Sequence, residues 1–140
     1  MTAEEIIAAL KLSAHPEGGW FRETWRAAAK AGERASGTAI CYLLKQGERS
    51  HWHRIDATEI WHFYAGAPLR LSLSEHGKTA RELVLGPDLA SGQAPQIALA
   101  PFCWQAAESL GDWTLVGCTV SPAFEFSGFE MAPPDWAPGK

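Results

Sequence analysis

The sequence predicts an all-β fold, a jelly-roll barrel preceded by a short N-terminal helix. Short apolar or alternating runs of strand length recur along the chain, separated by Gly-, Pro- and Asp-containing turns, and about eight to ten of them can be marked. Helical spacing is confined to the first dozen residues. No fixed-period repeat, low-complexity segment or interior linker divides the chain, so residues 1–140 read as one domain.

Thr2 to Leu12 has a capping threonine, Glu4 and Glu5 at the positive end of the helix dipole, and Ile6, Ile7 and Leu10 as an apolar stripe. His15-Pro16-Glu17-Gly18-Gly19 stops that helix in a turn, and its proline and glycines need no other explanation. Trp20–Trp25 has the aromatic content of a strand, and Ala27–Gly37 reads as a loop. Thr38–Leu44 is an apolar run ended by a glycine-containing hairpin turn. Two strands then flank a turn over Arg54–Thr58. Leu69–Ser74 alternates, with three leucines inward and Arg70, Ser72 and Ser74 outward. Ala80–Leu85, Pro95–Leu99 and Trp113–Val120 are further strand stretches, and Phe124–Phe129 is read as the last. The proline-rich tail Ala132–Lys140 reads as an irregular surface strap.

Composition narrows the function classes. The formal charge of −4 comes without a basic run, which argues against nucleic-acid binding. No apolar stretch reaches membrane-spanning length and the N-terminus lacks a signal-peptide pattern, so no membrane role and a cytoplasmic location are expected. Three scattered cysteines, Cys41, Cys103 and Cys118, suit buried positions in a reducing compartment. Seven tryptophans are many for this length, and tryptophan suits cores, pocket walls and subunit contacts.

Chemistry concentrates in SHWHRIDATEIWHFYAG, Ser50 to Gly66. Strand parity puts His51 and His53 on one face and Trp52 and Arg54 on the other. After the turn, Glu59, Trp61 and Phe63 share a face, while Ile60, His62 and Tyr64 take the opposite one. His62 is therefore expected to pack or hydrogen-bond away from Glu59, unless a bulge reverses it. Two imidazoles and a carboxylate brought together in this way can hold a divalent ion or move a proton. Arg54 is expected to pair with a carboxylate such as Asp56, or else to grip an anionic substrate.

These residues also carry a resemblance. HWHRIDATEIWHFYAG resembles the first cupin motif, with the Glu59-to-Gly66 spacing kept and the His53-to-Glu59 gap slightly longer. HPEGGWFRETW, GQAPQ, WQAA and TLVGCTVSPAFEFSGFE resemble, in the same order, the signature segments of the cupin family DUF985 (Cupin_5), from about Leu12 to Glu130. The resemblance implies the cupin double-stranded β-helix of RmlC-like proteins, a homodimer, and kinship with sugar-nucleotide epimerases and germin-like proteins. It names no reaction. In the stretch corresponding to the second cupin motif the glycine is missing, the proline is displaced, and Gln105 stands where the third metal histidine is usual.

The expected site is thus a barrel pocket with His51, His53, Glu59 and Gln105 as candidate ligands of one divalent ion (Fe, Mn, Ni or Zn). In a metal-free version His53 is the base, Glu59 its orienting partner, and Tyr64 or another hydroxyl the acid. Trp61, Phe63, Trp104 and Arg54 are the expected substrate contacts. The function expected is that of a small-molecule-binding cupin acting on a small polar metabolite such as a sugar or sugar nucleotide. A metal-free epimerase or isomerase, and a ligand-binding module without turnover, are the alternatives. The homodimer is expected to use the aromatic strand WFRETW, which can cross to a partner's sheet.

Overall fold

The structure is a computed structural model describing residues Met1–Lys140. Helix α1 (Ala3–Leu10) starts at a complete capping box, in which Thr2 and Glu5 satisfy each other's backbone amides. Its apolar face, with Ala3 and Ile6 buried, lies on Leu43 and Trp20. Eleven strands follow: β1 (Ser13–Ala14), β2 (Trp20–Arg26), β3 (Thr38–Lys45), β4 (Arg49–Ile55), β5 (Thr58–Gly66), β6 (Leu69–Ser74), β7 (Arg81–Leu85), β8 (Gln96–Leu99), β9 (Trp104–Ser109), β10 (Trp113–Ser121) and β11 (Phe129–Met131). They form a six-stranded sheet, β1-β2-β3-β10-β5-β8, and a five-stranded sheet, β11-β4-β9-β6-β7. Every pairing between named strands is antiparallel. This is the jelly-roll arrangement expected.

Alternation sets the core. Leu69, Leu71 and Leu73 of β6 are almost wholly buried and meet Tyr42, Trp61 and Val116 of the opposite sheet. Arg70 faces outward and pairs with Glu82 and Glu108. Ser74 departs from the expected outward set: it is buried, and its hydroxyl accepts the Gly77 amide at 2.9 Å to close the next turn. The β2 strand pairs with β3 of its own chain, from Trp20 opposite Leu43 to Arg26 opposite Thr38. Its other edge meets only Ser13 and Ala14.

The C-terminal tail is a strap, as read from the sequence. Trp136 packs against Trp104 and Trp52, and the Gly139 amide donates to the Gly77 carbonyl. The expected last strand is displaced: Phe126–Gly128 is a 3-10 turn, and β11 begins only at Phe129. Gly128 ends that turn with its Cα against the Asp56 carboxylate, which a Cβ at this position would have to displace.

Two irregularities position the site. In β4 the register with β9 shifts between Ser50, opposite Ala107, and His53, opposite Gln105. Three steps on one strand against two on the other is a bulge, and it turns Ser50 and His53 to the same inner face. The His15–Gly19 turn forms the second. It folds over the start of β4, where the Glu17 carbonyl accepts the His51 amide at 2.8 Å. Gly18, at φ +107°, lies against the Arg49 carbonyl, and Gly19, at φ +81°, lies against Tyr42, so neither place tolerates a side chain.

Candidate active site

At one end of the barrel, His15, Glu17, His53 and Glu59 line a cavity of about 30 Å³ walled by Phe21, Ile40, Ile55, Val120, Phe124 and Phe129. By volume it holds a water molecule or two. Glu17, His53 and Glu59 are all buried.

His53 is fixed at both nitrogens. Its Nδ1 lies 2.8 Å from the His51 carbonyl, which can only accept, so Nδ1 carries a proton. Its Nε2 lies 2.7 Å from Glu17 Oε2, which also accepts the Ser50 hydroxyl at 2.9 Å. Burial works to lower the His53 pKa, but the charge and hydrogen bond of Glu17 overcome it and raise it to about 9. For Glu17 burial works upward, and the adjacent His53 outweighs it to leave the carboxyl lowered. The pair is therefore imidazolium and carboxylate at neutral pH.

Glu59 is different. Its Oε1 accepts the Gln105 amide at 2.8 Å, while Gln105 Oε1 accepts the Trp61 indole N–H at 2.9 Å. An indole N–H can only donate, so this chain fixes which way the amide of Gln105 points. Burial raises the Glu59 pKa, His53 opposes it, Glu17 adds to it, and the result is about 7. Near neutrality, Glu59 is therefore poised between its two forms.

His15 completes the cluster. Its Nδ1 accepts the Glu17 amide at 3.0 Å, which requires a lone pair there and puts the neutral ring's proton on Nε2. Burial lowers its pKa, against the pull of Glu17. Neither His15 nor Glu17 was assigned a role from sequence. The available signal was a glutamate inside a Gly-Gly turn next to the aromatic strand, which a tight turn alone does not require.

The residues expected at the site divide sharply. His53, Glu59, Gln105 and Trp61 are brought together, although Trp61 is a core side chain sealed beneath Gln105. Phe63 packs against the same core and does not line the cavity. His51 is not brought in: the β4 bulge turns it away, and its Nε2 meets the Pro133 carbonyl at 2.9 Å under the strap. Trp104 stands outside with Trp136, and Arg54 lies over its ring, 4.5 Å from the centroid. Arg54 pairs with Glu130 at 2.9 Å, where Asp56 was the expected partner; Asp56 is held by Arg34 instead. His62 points away from Glu59, as parity predicts, and bonds Thr119 at 2.9 Å. Tyr64 is exposed and near His62.

The expected metal set does not fit an ion. His51 faces the strap, both His53 nitrogens are engaged, and Gln105 Oε1 is spent on Trp61. No group of three or more His, Cys, Asp or Glu side chains is placed to hold an ion.

Residues 4–132 match the family model described as Cupin superfamily (DUF985). The chain belongs to this family of cupins. A crystal structure of a protein from Shewanella oneidensis superposes with a TM-score of 0.89 at 36% identity, over 94% of this chain and 85% of that one. A hypothetical protein from Leishmania major gives 0.86 at 28% identity, over 94% and 88%. Bacillus subtilis oxalate decarboxylase gives 0.65 at 11% identity, over 84% of this cupin but only 29% of the decarboxylase, and so shares the fold. No curated protein matches the sequence. None of the helices of this cupin is long and apolar enough to cross a membrane.

Proposed function

We propose that this cupin is a metal-independent proton-transfer enzyme acting on a small polar metabolite, with Glu59 as the group that takes and returns the proton. The observation that carries this is the environment of Glu59: a buried carboxyl on a cavity wall, oriented by Gln105 and held near pKa 7 beside the His53–Glu17 pair. A proton-transfer group works best when its pKa lies near the operating pH. His53, expected from sequence to be the base, is unsuited to that role because Glu17 keeps it protonated. It instead supplies a fixed positive charge that favours the developing anion of a deprotonated substrate. The chemistry this supports is proton abstraction next to a carbonyl, the isomerase or epimerase class, on a sugar or a molecule of similar polarity.

The cavity is too small for such a substrate as it stands, and Phe124 and Phe129 are part of its wall, so this reading requires the Ser121–Phe129 segment to move when substrate binds. A single core shared by both sheets supports one domain over 1–140. A homodimer is proposed on the incompletely paired edge of β2.

The test is a thermal-shift screen of sugars, sugar nucleotides and hydroxy acids at pH 7, with hits carried into D₂O. The expected result is a ligand whose C–H exchanges for deuterium with the wild-type protein and not with Glu59→Gln. Binding without exchange would replace the enzyme with a ligand-binding module. The absence of any binder would remove both readings.

A further inference from the structure

Among the ring nitrogens of the cluster, one is left without a partner. His15 Nε2 makes no hydrogen bond, although the side chain is only 5% exposed. Every fully occluded side-chain nitrogen and oxygen in the molecule is satisfied, so this Nε2 opens onto space, and the His15 ring lines the cavity. The Glu17 amide at Nδ1 fixes the tautomer, making Nε2–H a donor. The ring is also held firmly: Phe21 packs edge-on against it at 4.5 Å, and Tyr42 and Phe129 flank it at 5.8 and 6.4 Å. By contrast, the donors of His53 and Ser50 are already taken up, His53 Nδ1 by the His51 carbonyl and His53 Nε2 and the Ser50 hydroxyl by Glu17 Oε2, while the Gln105 amide bridges Trp61 and Glu59. His15 is the one preorganised donor that the cavity keeps free.

We propose that His15 is a substrate-binding residue whose neutral Nε2–H holds the carbonyl oxygen of an α-hydroxycarbonyl compound. This rests on the assignment of proton transfer to Glu59, which lines the same cavity. In the step inferred, the C–H bond next to the carbonyl breaks and its proton goes to the Glu59 carboxylate. The electron pair of that bond becomes the second, π bond between the two carbons, and the C=O π pair moves onto the oxygen held by His15, which carries the enolate charge. Return of the proton from Glu59 regenerates the carbonyl. A neutral imidazole suits this role because it stabilises the enolate oxygen by a hydrogen bond without surrendering its own proton.

The test uses the full-length protein, ¹⁵N-labelled at histidine, with dihydroxyacetone as the probe and glycerol, which lacks the carbonyl, as the control. The expected spectrum shows His15 as the Nε2–H tautomer before any addition; protonation at Nδ1 alone would overturn the proposal. Dihydroxyacetone, and not glycerol, should shift the His15 Nε2 resonance and undergo wild-type-catalysed C–H to C–D exchange in D₂O. His15→Phe should slow that exchange at least tenfold, and His15→Gln, which keeps an N–H donor, should retain more of it than His15→Phe. Glu59→Gln should abolish exchange but keep the Nε2 shift. A shift without exchange in the wild type would leave His15 as the carbonyl-binding residue and sink the role of Glu59. Exchange unaffected in both His15 variants would sink the role of His15 and leave Glu59 standing. Neither shift nor exchange in the wild type would overturn the carbonyl assignment itself.

Discussion

The buried ion pair between Glu17 and His53 makes this cupin's stability depend on pH in a defined direction. His53 has a folded pKa of about 9, above its ordinary 6.5, so its contribution is complete below 6.5 and is lost as pH rises through 9. Glu59, raised from 4.5 to about 7, acts in the same sense over the lower window, since ionising it in a buried site costs stability. Glu17 is lowered, so its contribution is present above its ordinary 4.5 and lost on acidification below that. The melting temperature is therefore expected to be highest near pH 5 and to fall towards pH 9. A melting temperature that rose over that interval would contradict the assignment of His53 as imidazolium. Glu17→Ala leaves buried His53 and Ser50 without the carboxylate that compensates them, and is expected to cost about 3–5 kcal/mol in urea denaturation. In that variant the fall in stability between pH 7 and 9 should largely disappear, because His53 no longer has a raised pKa to lose.

Among the elements, the His15–Gly19 turn and the Ser121–Gly128 segment define the pocket from two sides. The turn works because Gly18 and Gly19 let the backbone pass against the Arg49 carbonyl and Tyr42, whose hydroxyl donates to the Gly18 carbonyl. Gly18→Ala combines a left-handed backbone with a collision against main chain, and should destabilise by about 2 kcal/mol or more while displacing Glu17. Loss of the raised His53 pKa in an NMR titration of that variant would be the accompanying sign. The Ser121–Gly128 segment carries Phe124, and two arginines tie it down. Arg34 donates to the Ala123 carbonyl at 2.9 Å and to Asp56, and Arg26 donates to the Phe124 carbonyl at 3.0 Å. Arg34→Ala should raise amide hydrogen exchange in residues 121–130 at least tenfold, with β10 up to Val120 remaining protected. Unchanged exchange there would mean that the apolar contacts of Phe124 and Phe129, and not the arginine, keep the cavity shut.

For the molecule as a whole, the two outer sheet faces differ in kind. The five-stranded sheet presents paired charges, Arg54 with Glu130 and Arg70 with Glu82 and Glu108, and the tail covers part of it. The six-stranded sheet presents Trp25 and Tyr64, both exposed, with His62 and Thr119 between them. Together with the open edge of β2, this asymmetry favours association through the six-stranded sheet. Light scattering is expected to give twice the chain mass, and Trp25→Glu to reduce it to one. A monomeric wild-type protein would end this assignment.

The fold was legible in the sequence because its determinants are local. Alternation in Leu69–Ser74, the apolar runs of β3 and β10, and the Thr2 cap each fix an element through neighbours a few residues apart. Parity alone placed Glu59 and Trp61 inward and His62 outward, and the cupin-like motif marked the right stretch of chain. What parity could not reveal was the β4 bulge, which depends on the register of β9 and exchanges the fate of His51. Nor could it reveal that Gln105 is committed to Trp61 and Glu59, or that Arg54 and Trp104 meet outside the barrel. Glu17 reaches His53 from a turn that is 36 residues away along the chain (53 − 17). Nothing local to HPEGG says which strand it will cover. Sequence by itself thus determined the barrel and the region of the site. The tertiary structure decided which groups face the cavity and, through burial and pairing, which of them is free to exchange a proton near neutral pH.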